Sequence, residues 1–237
     1  MTDHSRKNPN IALLIDADNA SPAGLDPVLT VLAELGTVNI RRAYGNWRKA
    51  SLKGWADIVH KYGIEPQQKF DITRGKNATD MKMTIDAMDL IFGGCVDGFG
   101  IMSSDSDFMP LAMRIRQDGL PVYGFGDAKT PDGFRQACSR FIDVHALIKS
   151  EIANGSSPEG QNVDEELLKL LIDAYQASKR DDKGFASLSE VGKIAGNRSS
   201  FDVRNYGFAR LSDMFEAAAE FKTERRENGT LYVKRLR

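Results

Sequence analysis

Short apolar runs alternate with amphipathic runs over the first 150 residues. Each apolar run predicts a buried strand, and the runs cover residues 11–15, 38–44, 64–70, 99–104 and 121–125, with a last short strand or turn at 141–144. Between them, apolar side chains recur at helical spacing and predict helices at residues 26–35, 47–62, 79–92, 106–117, 134–138 and 146–152. Strands that alternate with helices predict an α/β fold, a three-layer α/β/α sandwich around a mostly parallel sheet.

A different hydrophobic rhythm begins after residue 162. The stretch NGSSPEGQN at 154–162 has no apolar anchor and predicts a linker between a first domain, 1–153, and a second, 163–237. The second domain has predicted helices followed by a hairpin around Asn228-Gly229, at residues 163–177, 188–195, 205–218, 220–226 and 230–237. This order outlines a small winged-helix-like α+β domain.

Charge is balanced over the whole chain. The 32 basic and 33 acidic side chains give a formal net charge of −1, which excludes a strongly basic nucleic-acid coat protein but leaves room for a local basic site. One local concentration lies in the predicted hairpin, which carries Lys222, Arg225, Arg226, Lys234, Arg235 and Arg237. These cations either contact phosphate groups or guard an exposed sheet edge against pairing. Alternation along the strand directs Arg225 and Arg226 to opposite faces.

Composition narrows the class of protein further. No apolar run approaches the ~18 residues that a membrane helix needs, and the polar start MTDHSRKNPN lacks the apolar region of a secretory signal. Cys95 and Cys138 are too few for a disulfide scaffold or a zinc site, so we expect a reduced, cytoplasmic protein. His4, His60 and His145 lie far apart without ligand spacing, which argues against zinc chemistry.

Acidic residues follow predicted strands or begin a predicted helix. Asp16 ends the first strand in the run IDADNA, Asp105 and Asp107 follow a later strand in SSDSDF, and Asp80 lies in the first turn of a helix. Structural roles would also explain them: Asp16 would form a turn, Asp80 would complement a helix dipole and Asp107 would cap the next helix. Asp105 precedes that cap position, so capping explains it less well.

Three such carboxylates can meet at one edge of the sheet, because the carboxyl ends of parallel strands lie together. Oxygen ligands of this kind suit Mg²⁺ or Mn²⁺ and support metal-assisted chemistry on phosphate esters. The loop before Asp80 carries Arg74 and Lys76, so it either contacts phosphate or is an ordinary solvated loop. Asp86 lies about 120° around the helix from Asp80, so we expect it and Asp89 to be surface or structural residues.

The order of IDADN, then Lys76-x-x-x-Asp80, then SSDSDF resembles the NYN domain of the PIN-like nuclease superfamily, in its bacterial LabA-like form. The resemblance covers residues 10–150 and implies an α/β/α sandwich with metal-dependent ribonuclease activity. It implies that Asp16, Asp80 and Asp105 bind Mg²⁺ or Mn²⁺ and that Asp107 is a fourth catalytic residue. Candidates for contact with the substrate are the neighbouring polar and basic residues Asn19, Arg74, Lys76, Lys82 and Ser104.

The second domain carries a resemblance of its own. The segments LSEVGKIAG and YGFARLSDMFE, followed by the hairpin, make residues 164–237 similar to the LOTUS domain, also called the OST-type helix-turn-helix. That domain accompanies NYN in many relatives and is linked to RNA binding. The resemblance implies an RNA partner, which we expect to be single-stranded. Because PIN-like domains often pair, it also allows a homodimer.

Three functions are consistent with these patterns. The first is a metal-dependent ribonuclease with an RNA-binding module. The second is a non-catalytic RNA-binding or regulatory adaptor, which retains its carboxylates for stability or weak binding. The third, a phosphatase of the haloacid dehalogenase type, would use Asp16-x-Asp18 but requires a hydroxyl two residues later, where Ala20 stands. A metal-dependent nuclease assay on single-stranded RNA separates the first two.

Overall fold

The computed structural model describes residues 8–68, 78–153, 163–198, 201–226 and 229–236, with the side chains at 78–80, 150–153 and 198 outside that description. The chain divides into two compact units, Met1–Ile148 and Lys149–Arg237, each with its own hydrophobic core.

Six parallel strands form the sheet of the first unit. They are β1 (Asn10–Asp16), β2 (Thr37–Gly45), β3 (Glu65–Gln68), β4 (Gly98–Met102), β5 (Val122–Gly126) and β6 (Arg140–Asp143). Their spatial order is β3-β2-β1-β4-β5-β6, and every pairing is parallel. The chain therefore winds outward from β1 in one direction and from β4 in the other, which makes the crevice between them the topological switch point.

Helices cover both faces of this sheet. They are α1 (Leu25–Leu35), α2 (Lys53–Ala56), α3 (Ala78–Phe92), α4 (Met109–Gln117), α5 (Asp132–Ala137) and α6 (Val144–Ala153). Successive residues of a strand alternate between faces, so Leu13 and Ile15 pack with α1, α2 and α6, whereas Ala12 and Leu14 pack with α3, α4 and α5. Burial on both faces explains why β1 is apolar from Ile11 to Ile15. The predicted α/β/α sandwich is confirmed.

The helix predicted at 47–62 is wrong over most of its length. The structure has a 3-10 helix, Ala50–Leu52, then the single turn of α2, and then further turns. Leu52, Trp55 and Val59 are nevertheless buried in the core. The helical spacing of apolar residues therefore predicted correctly which side chains are buried, but not the helix. Gly54, in the middle of the segment, disfavours a continuous helix. The strand predicted at 64–70 is described only as far as β3 extends.

The sequence also led us to expect reduced cysteines and no membrane-spanning helix. Cys138 is buried, which raises the pKa of its thiol to about 12, whereas Cys95 is exposed, and both are free cysteines. Within the described ranges, no helix combines the length and the apolar character that crossing a membrane requires.

The second unit combines helices with a small antiparallel sheet. Its helices are α7 (Glu165–Ala177), α8 (Leu188–Arg198) and α9 (Leu211–Ala217), and its strands are β7 (Ala186–Ser187), β8 (Phe221–Arg225) and β9 (Leu231–Arg235). The strand order is β7-β9-β8. Asp164 caps α7 by accepting a hydrogen bond from the Leu167 amide at 2.7 Å. The predicted helices followed by a hairpin are confirmed.

The helix predicted at 205–218 is divided in two. A 3-10 helix, Val203–Tyr206, ends at Gly207, whose φ of 78° lies in the left-handed region, and α9 begins after it. Glycine adopts that conformation without the steric cost of a Cβ atom. Strand β7 was not predicted, because two residues are too few to show an alternating pattern.

Candidate metal site at the switch point

Asp16 is the last residue of β1 and lies at the carboxyl edge of the sheet, beside the switch point between β1 and β4. Its side chain is fully buried. Two donors hold one carboxylate oxygen, Oδ2: Asn19 Nδ2 at 2.9 Å and Ser103 Oγ at 2.8 Å. The other oxygen, Oδ1, is buried without a hydrogen-bond partner among the described residues. A buried acceptor of this kind is costly unless something else satisfies it.

The environment of Asp16 disfavours its charged form. Burial raises the pKa of this carboxyl group, and the charges of Asp18 and Asp105 raise it further. The hydrogen bonds from Asn19 and Ser103 act in the opposite direction and lower the pKa. A cation beside Oδ1 would offset both the desolvation and the repulsion.

Ser103 connects Asp16 to Asp105. Its hydroxyl donates to Asp16 Oδ2 and accepts a hydrogen bond from the Asp105 amide at 3.1 Å. Asp105 in turn caps the 3-10 helix Ser106–Phe108, since its Oδ1 accepts from the Asp107 amide at 2.9 Å. The expectation that Asp105 precedes the cap position was wrong, because a 3-10 turn extends the helical segment toward it. Sequence reasoning missed Ser103, a serine in an SS pair with no distinguishing motif.

The remaining candidates near this edge differ in exposure. Asp107 and Asn19 are exposed, and Ser104 is half-buried. The Ser104 hydroxyl accepts from the Asp127 amide at 2.9 Å, which joins the loop after β5 to the loop after β4. Asp127 directly follows β5 and brings a further carboxyl group to the same edge. Sequence reasoning did not single out Asp127, although an aspartate at a strand end is the same pattern that pointed to Asp16.

Helix α3 brings its first turn to this edge, because a helix that joins parallel strands runs back from their carboxyl ends. It packs against β1, β2 and the 3-10 helix that Asp105 caps. Asp80 lies in that first turn, with its side chain outside the described residues, and Arg74 and Lys76 also lie outside them. Lys82 is exposed and forms an ion pair with Asp86.

Asp86 is structural, as expected, but it is buried rather than on the surface. The Tyr44 hydroxyl donates to its Oδ2 at 2.9 Å, and Arg42 Nη1 lies 3.6 Å from the same oxygen. Burial raises the pKa of the Tyr44 hydroxyl, and the Asp86 charge raises it further. Since Tyr44 is the register partner of Asp16, this network joins α3 to β2 beside the candidate site.

The donor set at the edge fits a hard divalent cation. Asp16 offers an unsatisfied carboxylate oxygen, and the Asp105 carboxylate is near enough to influence it electrostatically. In the part of the chain that the structure describes, no three acidic, cysteine or histidine side chains group closely enough to hold a metal ion.

The segment after β1, DADNASPAG, lacks the G-x-G-x-x-G pattern of a dinucleotide-binding loop. A parallel sandwich with carboxylates instead of glycines at its switch point is consistent with the PIN-like class of domains. The chain belongs to the NYN domain family, whose model matches residues 10–149. A second model, the OST-HTH/LOTUS domain, matches residues 159–233. This pair of domains suggests an RNA-related function.

The chain is also similar to individual proteins. The chain is 31% identical over 145 residues to the uncharacterized protein MJ0482 of Methanocaldococcus jannaschii, and the match covers 60% of this chain and 56% of that protein. The chain thus spans little more than half of that relative. Among solved structures, the protein of unknown function VPA0982 from Vibrio parahaemolyticus matches with a TM-score of 0.50 and 22% identity, over 60% of this chain and 96% of that one. This likeness concerns the fold.

Proposed function

We propose that this protein is a metal-dependent ribonuclease, with a nuclease domain at 1–153, a linker at 154–162 and an RNA-binding domain at 163–237. The observation that carries the proposal is the buried, unsatisfied Oδ1 of Asp16 at the switch point, next to the charge of Asp105. The free cysteines suit a reducing, cytoplasmic setting.

Asp16, Asp80 and Asp105 would hold one or two Mg²⁺ or Mn²⁺ ions. A bound ion of this kind lowers the pKa of a coordinated water and offsets charge on the phosphate. Asn19 and Ser103 hold the Asp16 carboxylate through Oδ2, which would leave Oδ1 to bind the ion. The exposed Asp107 carboxylate stands at the rim, where it accepts a proton or orients water.

Substrate contacts would come from the rim of the same edge. Arg74 and Lys76 neutralise phosphates of a single-stranded RNA, and Lys82 adds a cation that Asp86 holds in place. The Ser104 hydroxyl accepts from the Asp127 amide and donates its own proton to a phosphate oxygen.

Two substitutions at Asp105 separate catalysis from capping. Asparagine caps helices about as well as aspartate, whereas alanine costs about 1 kcal/mol. Asp105→Asn should therefore keep the free energy of unfolding, Asp105→Ala should lower it, and both should reduce Mn²⁺-dependent cleavage by about 100-fold or more. The measurements are cleavage of labelled single-stranded RNA with Mn²⁺ or EDTA, and chemical denaturation. Full activity of Asp105→Asn would contradict a catalytic role.

The capping role of Asp105 also favours a second candidate, a non-catalytic RNA-binding adaptor. In that function the carboxylates serve the fold, and RNA binds without being cut. The same assay decides between the two, because an adaptor would retain RNA affinity in a gel-shift measurement while leaving the RNA intact with every divalent ion tested.

A further inference from the structure

An apolar stripe runs along the outer face of α3. We use this term for Met81, Ile85, Met88 and Phe92, which fall within about 60° of one another at 100° per residue. Met81 is 66% exposed, Ile85 51% and Phe92 76%, and Met88 is half-buried. The opposite side of the helix packs in the core through Met83 and Ala87. A continuous row of large apolar side chains in water marks a surface that binds a partner.

We propose that a second copy of this chain covers the stripe, with the two α3 helices packed antiparallel about a twofold axis. The spacing between the four residues is four, three and four positions, which reads the same in both directions. An antiparallel copy centred between Ile85 and Met88 therefore places Met81 against Phe92, and Ile85 against Met88, in both halves of the interface. Such self-complementarity is what an isologous interface requires.

Charge supports the same partner. Lys82 and Asp89 are both exposed and lie on the same flank of the stripe, about 90° and 70° from its centre. The twofold operation keeps that flank on one side and brings Lys82 of each copy within about 3 Å, along the axis, of the level of Asp89 in the other. Lys82 already pairs with Asp86 of its own helix, so Asp89 of the other copy would be its second carboxylate partner. Two symmetric charge clusters would thus border the apolar contact. An RNA strand would instead meet an apolar row flanked by a carboxylate.

This dimer goes beyond the proposed function and does not depend on it. It would place Lys82 in the interface and leave Arg74 and Lys76 as the basic residues for RNA contact. Because α3 runs antiparallel to the strands, antiparallel packing of two α3 helices directs the carboxyl edges of the two sheets away from each other. Each candidate metal site would then stay open, and the two sites would receive separate RNA segments.

The test is the oligomeric state of the full chain. Sedimentation velocity over a range of concentrations should give a dimer for the wild type. Ile85→Asp and Phe92→Asp would each place two charged groups in the interface, one from each copy. Each should weaken self-association by about 100-fold or more. Leu236→Asp, which changes an exposed apolar residue of the second unit, is the matched control and should remain dimeric. Circular dichroism checks that each variant is folded.

A charge substitution identifies the geometry. Asp89→Lys should weaken the dimer, because it would face Lys82 of the other copy, and adding Lys82→Gln should restore association, because it removes that repulsion without placing a carboxylate beside Asp86. A wild type that stays monomeric at all concentrations overturns the proposal, whether RNA or the rest of the chain covers the stripe. A dimer that survives both aspartate substitutions also overturns it, since another surface would then form the contact.

Discussion

Asp16 combines a structural cost with the role that we propose for it in metal binding. Its carboxyl group is fully buried at the end of a central strand, and burial raises its pKa. Two donors satisfy Oδ2, while Oδ1 has no partner among the described residues. Unsatisfied groups of this kind are rare in folded proteins and call for a bound ion or water. We therefore expect a bound cation to stabilise this site.

Asp16→Asn should raise the melting temperature in EDTA at neutral pH. A raised folded pKa means that the folded state holds the proton more tightly, so the group stabilises the fold below its unfolded pKa. That stability is lost as pH rises through the folded pKa. The advantage of the variant should therefore grow from acid toward neutral pH, in melting curves recorded across that range. Mn²⁺ should stabilise the wild type and leave the variant unchanged, and an advantage independent of pH would contradict this account.

Gly126→Ala should destabilise the same edge. A Cβ atom at Gly126 would lie 2.5 Å from Thr130 Oγ1 and 2.9 Å from the Ser103 carbonyl oxygen. Overpacking of this kind costs about 1–3 kcal/mol, which denaturant unfolding measures. Gly196→Ala is the control: it lies within α8, and among the described residues outside its own helix no atom lies within 4 Å of the added carbon. There we expect a neutral or stabilising effect, by up to about 1 kcal/mol.

At the scale of elements, hydrophobic spacing predicted most helices and strands of the first unit. It failed where side chains are buried at helical spacing although the backbone does not form a continuous helix. Strand β1 and helix α1 could be read directly, because one is an uninterrupted apolar run and the other ends at Gly36. Residues 47–62 bury side chains at helical spacing without forming a long helix, and pattern alone cannot distinguish the two. The 3-10 turn that turned Asp105 into a cap was equally invisible, because it depends on how the chain leaves β4.

Tyr44→Phe should weaken the joint between β2 and α3. The substitution removes the hydrogen bond to the buried Asp86 carboxylate and leaves Oδ2 near Arg42 only, at a cost of about 1–3 kcal/mol. Tyr123→Phe is a matched control, since its hydroxyl is not hydrogen-bonded to any residue that the structure describes. Denaturation midpoints of the two variants give the comparison, and equal losses would show that Tyr44 acts only through packing.

At the scale of the whole molecule, the candidate site could be expected in outline but not in detail. The carboxyl ends of parallel strands share one edge of the sheet, so the sequence predicted that Asp16 and Asp105 lie near each other. The order β3-β2-β1-β4-β5-β6, which makes β1 and β4 neighbours, follows from tertiary packing. Ser103 bridges the two aspartates only because of that neighbourhood, over 87 positions in the sequence.

The basic residues of the hairpin in the second unit differ in their surroundings, although they are close together in the sequence. Arg226 is paired with Asp181 and lies over the Tyr232 ring, with its guanidinium carbon 3.9 Å from the centroid. Its charge is thus committed within the unit. Lys222 and Lys234 are direct partners in the β8–β9 register and share one face. Like charges directly opposite each other destabilise a sheet, and a phosphate backbone would relieve their repulsion.

Replacing both lysines, Lys222→Gln with Lys234→Gln, should weaken RNA binding by the full chain and flatten its salt dependence. Each phosphate contact with single-stranded RNA contributes about −0.7 to the slope of log K against log salt, so the magnitude of the slope should fall by about 1.4. The double variant loses the contact of Lys234 with the Phe185 ring, 5.6 Å from Nζ to the centroid, but also loses the repulsion, so we expect the unit to stay folded. Denaturant unfolding of the double variant separates lost binding from lost folding. Lys169→Gln, which replaces an exposed lysine on α7, is the control and should change neither affinity nor slope.

Fluorescence anisotropy at several salt concentrations measures both the RNA affinity and its salt dependence. An unchanged slope in the double variant would mean that these lysines guard a sheet edge and that RNA binds elsewhere.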